Sequence, residues 1–375
     1  MQLTEVKSKK EEQAFLNVAR RLYKNDPNWV CPLDSDIKAI FDPNENVFHS
    51  HGEATRWVMR NETGELIGRI AAFINERKAD FNGKRLGGMG FFECINDKAA
   101  ANLLFDTAKA WLLDRKVEVV HGPINFGEND MFWGLLVEGY THPSYGMNYN
   151  FPYYQGFFED YGFTTKMELM TNHLDIRHGF SPRFVMIAKY VLERKPNITV
   201  EHFDIKKFDK FAEDFMNIYN EAWTDHENFT KIKKETVAET FKKIKPFHEP
   251  LFIQFAYVSG EPASFVMCLP DVNQIFKHVN GKLNLIGKLK FLYYKRKKVM
   301  NRIRVVVMGT HPKFQGLGLE SVLTYKCFEG AQLRGGYVEG ELSWVGDFND
   351  KMIAIHKGLG AVPGKKHITY RLDIA

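Results

Sequence analysis

The clearest local pattern in the chain is Met308-Gly-Thr-His-Pro-Lys-Phe-Gln-Gly-Leu-Gly-Leu-Glu-Ser-Val-Leu323. It begins at the end of an apolar segment, passes through a glycine-rich turn and enters a helical pattern. Such a turn leaves backbone N–H groups unpaired at the positive end of a helix dipole, where phosphate groups bind well. Gly316 and Gly318 let a ligand approach the backbone without a Cβ in the way. The stretch therefore predicts a strand, a phosphate-binding turn and a helix.

Two common phosphate-binding motifs do not fit this turn. The Lys-Ser/Thr pair that ends a P-loop is missing, and the turn has one glycine too few for the dinucleotide-binding fingerprint. The identity of the phosphate ligand must therefore come from the surrounding pattern.

The predicted order of strands and helices occurs twice along the chain. Each half has a short strand, a helix and a hairpin, with hairpin turns at Gly64-Glu65 and Gly260-Glu261. A strand, a longer helix, a second strand, a short helix and a glycine corner follow in both halves. The longer helices are predicted at 98–115 and 319–334. This order predicts an α/β fold whose two halves each contain a mixed, mostly antiparallel sheet flanked by helices.

This pattern resembles the GNAT acyltransferases, repeated in tandem. The acyl-CoA pyrophosphate loop of that superfamily reads Gln/Arg-x-x-Gly-x-Gly/Ala, and residues 315–320 follow it except at Glu320. More specifically, the chain is similar to a bacterial family of tandem GNAT proteins in the segments 68–71, 122–126, 149–154 and 341–344. The resemblance implies an N-terminal domain at 1–178, a helical linker at 179–197 and a C-terminal domain at 198–375.

The resemblance also implies an N-acyltransferase. Its donor substrate would be acetyl-CoA or another acyl-CoA, and its acceptor an amine on a small molecule or peptide. The active site is expected in the C-terminal domain, because segment 93–98 of the first half has no glycine where the loop would be. A backbone N–H within 307–310 would polarise the thioester carbonyl. The residues expected to hold the acyl-CoA are Met308, Gly309, Thr310, Lys313, Gln315, Gly316, Leu317, Gly318 and Asn349.

Glu320 departs from the family pattern at the start of the predicted helix. A carboxylate there interacts well with the helix dipole, but it would repel a nearby pyrophosphate. Either the side chain points away from the ligand, or the loop no longer holds CoA tightly.

Two residues are predicted to act in catalysis. His356 stands seven residues after Asn349, where many GNAT enzymes have the Tyr that protonates the departing thiolate. The alternative is a packing role. Glu341 shares one face of its strand with Glu339 and Ser343 and is predicted to be the general base. Its alternative is a carboxylate neutralised by nearby Lys or Arg.

Further candidates lie outside this loop. Asp225 and His226 are weaker candidates on the acceptor side. In the first half, amides and aromatic residues cluster at 125–133 and 147–154, which suits either a ligand pocket or an interface between the domains. The spacing of His49-Ser-His51 resembles that of metal ligands, but without further ligands we expect no metal site.

Composition and charge limit the remaining possibilities. Four cysteines without paired spacing favour neither disulfides nor zinc. The chain has no signal-like segment and no apolar run long enough to span a bilayer, so we expect a cytoplasmic protein without stable membrane insertion.

A basic segment precedes the glycine turn. From Val272 to Leu319 there are eleven Lys and Arg and no Asp or Glu. This segment is either a solvated helix face or a surface that attracts CoA, tRNA or anionic lipid. It leaves a second hypothesis open, in which the basic residues of 277–304 bind aminoacyl-tRNA as in the Fem-type transferases, which are also tandem GNAT folds. A third hypothesis is a non-catalytic module that binds CoA or a partner.

Overall fold

The computed structural model describes residues 1–79, 82–224 and 231–375. The strands of the described residues are β1 (Gln2–Glu5), β2 (Gly52–Arg60), β3 (Leu66–Ala79), β4 (Arg85–Cys94), β5 (Val119–Gly122), β6 (Leu135–Glu138), β7 (Thr164–Asp175), β8 (Ile198–His202), β9 (Ile253–Val258), β10 (Glu261–Pro270), β11 (Arg302–Thr310), β12 (Glu339–Gly346) and β13 (Val362–Asp373). The helices are α1 (Lys9–Leu22), α2 (Asp34–Ile40), α3 (Lys98–Leu113), α4 (Tyr154–Tyr161), α5 (Pro182–Arg194), α6 (Phe208–Ala222), α7 (Lys234–Ile244), α8 (Asn273–Phe276), α9 (Leu285–Arg296), α10 (Leu319–Arg334) and α11 (Asp350–Leu359).

The chain folds into two compact units. The first unit contains Met1–Met170, Asn273–Arg296 and Lys365–Ala375, and the second contains Thr171–Val272 and Lys297–Gly364. These units differ from the continuous domains expected at 1–178 and 198–375. The helices α8 and α9 leave the second half between β10 and β11 and belong to the first unit. The greater part of β13 also belongs there, because it pairs with β5.

The sheet of the first unit has the strand order β1-β2-β3-β4-β5-β13, and β6 adds to β13. All of these neighbours are antiparallel except β4 and β5, which are parallel. Helix α1 packs Phe15 and Val18 against Val58 and Ala71 on one face. On the other face, α3 and α4 contribute to the larger core with residues such as Phe105.

The sheet of the second unit repeats this plan with the order β12-β11-β10-β9-β8, and residues 171–175 of β7 lie beside β12. Here β11 and β12 are the parallel pair. Helices α6 and α7 pack against Phe255 and Phe265 on one face. Helix α10 packs against Val266 and Ile303 on the other, with α5 beside it. The predicted mixed sheets, both hairpins and the helix at 319–334 are thus confirmed.

Among the described residues, no helix combines the length and the apolar character needed to cross a bilayer.

Candidate functional site

The strands β11 and β12 separate part-way along their length. Their parallel pairing runs from Arg302 opposite Glu339 to Val305 opposite Leu342. In the described part of the chain, β11 then continues to Thr310 paired with β10 alone. A wedge therefore opens between the carboxyl-terminal ends of β11 and β12, with the backbone of 306–310 along one side.

A β-bulge lies at the point where this wedge opens. Val305 pairs with Cys268 and Val307 with Met267, so Val306 is an extra residue in β11. It is 39% exposed. The bulge changes which residues of β11 face α10. Before it these are odd-numbered residues such as Val305, and after it the even-numbered Met308 faces α10. Because the extra residue of a bulge disrupts the ladder locally, the regular pairing of β11 is interrupted at Val306, where the wedge opens.

The glycine turn joins β11 to the N-terminus of α10. Gly318 is the N-terminal cap of this helix in a left-handed conformation, with φ of 79°. It has no side chain to occupy the first N–H groups of the helix, so those groups can bind an anion. Gly316 has φ of 78°, and a Cβ added there would meet nothing within 4 Å. The space that a side chain at position 316 would occupy is therefore open.

Lys313 and Lys351, both near the turn, differ in their contacts. Lys313, expected to grip phosphate, instead forms an exposed ion pair with Glu261, with Nζ and Oε2 2.6 Å apart. Lys351 was missed, and its Nζ lies 3.3 Å from Oε1 of Gln315 in the turn. Lys351 stands in the first turn of α11, two residues after Asn349, whose Oδ1 accepts a hydrogen bond from the N–H of Met352. The position of Lys351 two residues after Asn349 could have identified it as a candidate from the sequence.

Glu320 is the second residue of α10 and is partly buried. Its backbone oxygen accepts a hydrogen bond from Oγ1 of Thr324 one turn later. The carboxylate thus stands in the first turn of the helix, where the dipole favours it.

A polar network covers the face of β11 and β12 opposite α10. Glu341 is 1% exposed, and its oxygens lie 3.8 Å from Arg302 Nη1 and 3.9 Å from Arg304 Nε. Arg304 Nε also donates to Oγ of Ser343 at 3.1 Å, which confirms that Glu341 and Ser343 share a face. Arg302 further contacts Glu339 at 3.0 Å. Arg302 also lies 3.4 Å from the buried Asp271, so two guanidinium groups are shared among three carboxylates. This arrangement is compatible with the alternative of a carboxylate neutralised by nearby arginines.

His356 is buried in the last turn of α11. Its Nδ1 lies 2.8 Å from Nδ2 of Asn172, which can only donate, so Nδ1 is the acceptor and the proton sits on Nε2. Burial lowers the pKa of His356 to about 4. The imidazole is therefore neutral at pH 7, which disfavours its predicted role as a protonated general acid.

Comparison with known proteins adds to this geometry. No model of a protein family matches the sequence. A tandem GNAT protein from the clavulanic acid biosynthesis pathway covers all of this chain and 99% of its own, with a TM-score of 0.59 and 11% identity. A GCN5-related N-acetyltransferase from Sphaerobacter thermophilus covers 99% of this chain and 96% of its own, with a TM-score of 0.55 and 10% identity.

The chain has the tandem GNAT fold.

Two curated relatives match almost the whole chain by sequence. The protein named bacterial ceramide synthase, from Caulobacter vibrioides, is 29% identical over 374 residues, covering 98% of this chain and 95% of that protein. Protein YghO from Escherichia coli is 26% identical over 377 residues, covering 98% of this chain and 94% of that protein.

The first GNAT-like unit differs from the second at the equivalent helix start. Asp97 caps α3, and its carboxylate accepts hydrogen bonds from the N–H groups of Ala99 and Ala100 at 2.8 and 3.1 Å. The chain's own carboxylate thus takes the donors that a phosphate would use. This contrast with Gly318 supports the prediction that the acyl-CoA site lies in the second unit.

Part of the aromatic and amide cluster of the first unit, Phe132 and residues 147–150, lines a cavity of about 60 Å³ within that unit. Glu93 borders the cavity and accepts hydrogen bonds from the hydroxyls of Tyr23 at 2.7 Å and Tyr154 at 3.0 Å. Arg69 donates to the same carboxylate at 3.3 Å. Burial raises the pKa of Glu93, and its partners oppose that shift.

The remaining candidates are placed as follows. His49 Nε2 lies 3.2 Å from the backbone oxygen of Ile40, and His51 Nδ1 lies 2.9 Å from Oδ1 of Asn75. Each ring thus has its own partner, and within the described residues no group of three or more His, Cys, Asp or Glu could hold a metal ion. Asp225 and His226 lie outside the described residues.

Proposed function

We propose that this protein is an acyl-CoA-dependent N-acyltransferase whose active site lies in the second unit. The observation that carries the proposal is the order of features along one segment. A bulged strand leaves its parallel neighbour at Val306, and an uncapped glycine turn follows at Gly316–Gly318. An acyl thioester with a pyrophosphate needs both, because one end requires a carbonyl-polarising N–H and the other an anion site.

In this proposal the donor lies along the wedge. Its pyrophosphate accepts hydrogen bonds from the first N–H groups of α10, with Lys351 as the nearby cation. Its thioester carbonyl accepts a hydrogen bond from the backbone near Val306. The amine attacks the carbonyl carbon, the tetrahedral intermediate expels the CoA thiolate, and an amide forms. The amine loses one proton and the thiolate gains one, so the reaction yields an amide and free CoA.

Glu341 is our candidate for accepting the amine proton. Its strand borders the wedge, and the network with Arg302 and Arg304 holds the carboxylate in place. His356 enters as a neutral hydrogen-bond donor through Nε2, because its pKa of about 4 leaves few imidazolium ions at pH 7. We therefore assign the thiolate proton to solvent or to the amine.

The acceptor that we propose is a long-chain lipid amine. The relative from Caulobacter vibrioides is named a ceramide synthase, and a ceramide is the amide of a long-chain amino alcohol. That reaction class is the one the wedge supports. We therefore propose for this chain the acceptor class that the relative's name indicates, a long-chain amino alcohol.

Donor binding is tested by calorimetric titration with CoA, acetyl-CoA and palmitoyl-CoA. We expect saturable binding that Lys351→Glu weakens about tenfold, since it replaces attraction to the phosphates by repulsion. Lys357→Glu is the matched control, because Lys357 is exposed in the last turn of the same helix, whereas Lys351 stands in the first. Equal loss in both variants, or no binding of any donor, would refute the proposed site.

Turnover is tested with palmitoyl-CoA and sphinganine, following free CoA. Glu341→Gln should lower kcat at least about 100-fold if Glu341 is the base. Unchanged kcat would remove Glu341 from the mechanism. Donor binding without turnover on any amine would favour the non-catalytic module, and salt-dependent tRNA binding without CoA binding would favour the Fem-type hypothesis.

A further inference from the structure

Helix α9 presents apolar side chains to solvent. Five of them are between 52% and 75% exposed: Leu285, Ile286, Leu289, Leu292 and Tyr293. At 3.6 residues per turn these positions fall within an arc of about 120° on one side of the helix. A helix on the surface of a soluble protein normally turns such a stripe towards the core. Here the stripe faces outward.

The opposite side of α9 explains this orientation. Gly287 is buried, Phe291 packs against Phe276 with ring centroids 6.1 Å apart, and Tyr294 stacks on His278 at 3.8 Å. The helix is therefore held to its own unit by a separate set of residues. Its outward stripe does not result from a misplaced core face.

Basic residues flank the outward stripe on both sides. By the same helical spacing, Lys290 lies beyond one edge and Lys288 and Lys295 lie beyond the other, and all three are exposed. Arg296 lies within the stripe at the end of the helix and is exposed. The whole segment from Val272 to Leu319 has no acidic residue. An apolar stripe flanked by lysines fits a partner that has an anionic outer layer over an apolar layer.

We propose that α9 docks this protein on the surface of an anionic phospholipid bilayer. The leucines and Ile286 enter the boundary between headgroups and acyl chains, while the lysines contact lipid phosphates. The helix lies in the interface and does not cross the membrane, which agrees with its twelve residues. The proposal rests on α9 itself and is independent of the acyl transfer proposed above, although a lipid acceptor would be found at such a surface.

Two other occupants fit the stripe less well. An RNA backbone would satisfy the lysines but would leave four exposed aliphatic side chains without an apolar partner. A second copy of the chain would cover the stripe, but it would bring the lysine rows of two α9 helices together. The bilayer alone satisfies both the charge and the apolar surface.

Vesicle co-sedimentation of the full chain tests the proposal. We expect binding to phosphatidylcholine vesicles containing 30% phosphatidylglycerol and at least tenfold weaker binding to pure phosphatidylcholine. Leu289→Glu with Leu292→Glu should weaken binding at least about 100-fold, since each leucine side chain buried is worth about tenfold or more. Lys288→Glu with Lys290→Glu should weaken binding to the anionic vesicles and make it less sensitive to salt.

Matched controls address non-specific effects. Leu333→Glu changes a leucine that is 80% exposed at the end of α10. Lys9→Glu with Lys10→Glu changes the same charge at the exposed start of α1. Both should leave vesicle binding unchanged. Equal loss in these controls, or no vesicle binding by the unmodified protein, overturns the proposal.

The competing occupants have distinct outcomes. Dimerisation abolished by the leucine variant, in a protein that ignores vesicles, would assign the stripe to a second copy. RNA binding abolished by the lysine variant, again without vesicle binding, would assign it to nucleic acid. Acyltransferase activity on a detergent-solubilised amine separates this proposal from the proposed function, because α9 variants should keep that activity.

Discussion

Replacing His356 with glutamine should remove a pH-dependent contribution to stability. His356 is 6% exposed, and its Nδ1 accepts a hydrogen bond from Asn172. Protonating the ring would place a charge in an apolar site and lose this bond, so burial lowers the pKa from 6.5 to about 4. Glutamine can still accept from Asn172 through Oε1 but does not titrate in this range.

The sign and size of the effect follow from linkage. Between pH 6.5 and 4 the unfolded chain binds a proton that the folded protein does not, so the free energy of unfolding falls as pH falls. The contribution is fully present above pH 6.5 and is lost as pH drops towards 4. At 1.36 kcal/mol per pKa unit, a pKa lowered from 6.5 to about 4 corresponds to about 3 kcal/mol.

Urea unfolding of both proteins between pH 4 and 8 measures this difference. The glutamine variant should become more stable relative to the native sequence by about 3 kcal/mol between pH 7 and 4. His178→Gln, at a histidine whose side chain is 83% exposed, is the control for the substitution itself. NMR titration of the His356 ring should show its midpoint near 4. A midpoint near 6.5, or a stability difference that is constant with pH, would refute the buried neutral imidazole and revive its role as an acid.

Three further pairs of variants test other parts of the structure. Asp97→Ala should lower the free energy of unfolding by about 1 kcal/mol through loss of the α3 cap, whereas Asp97→Asn should retain most of the cap's contribution. Equal stability of the native protein and both variants in urea would contradict the capping role. Arg302→Met should cost about 3–5 kcal/mol because it leaves Asp271, Glu339 and Glu341 without this partner. The exposed Arg177→Met should change the thermal midpoint little, and similar thermal shifts in both variants would refute the network. Gly316→Ala and Gly318→Ala should each lower the free energy of unfolding by about 1–2 kcal/mol because both positions have a positive φ. The loss should be larger for Gly318→Ala, because its Cβ would lie 3.3 Å from Val191 Cγ2. Equal urea midpoints for the two variants would show that α5 does not crowd this position.

Most elements could be predicted from the sequence because their signals are local. The hairpin turns, the glycine cap of α10 and the alternation of Glu341 and Ser343 all depend on neighbouring residues. The partners of Glu341 could not be predicted in the same way. Arg302 and Arg304 meet it only after two strands distant in sequence pair in parallel.

The assignment of segments to units was also beyond local patterns. The last strand looked like the end of the second half, yet Tyr370 lies opposite Gly122 in the first unit. The basic segment was recognised by its charge, but charge alone does not show which face of a helix packs. Only the contacts of Phe291 and Tyr294 showed that the apolar stripe of α9 faces outward.

The pairing of β13 with β5 has a consequence for synthesis. Residues Lys365–Ala375 belong to the first unit, so the sheet of that unit remains incomplete until β13 has been synthesised. Until then β5 has an open edge, which is a site for wrong strand pairing. A nascent chain must therefore protect the open edge of β5 until β13 is available, and a truncation that removes β13 would leave the sheet of the first unit incomplete.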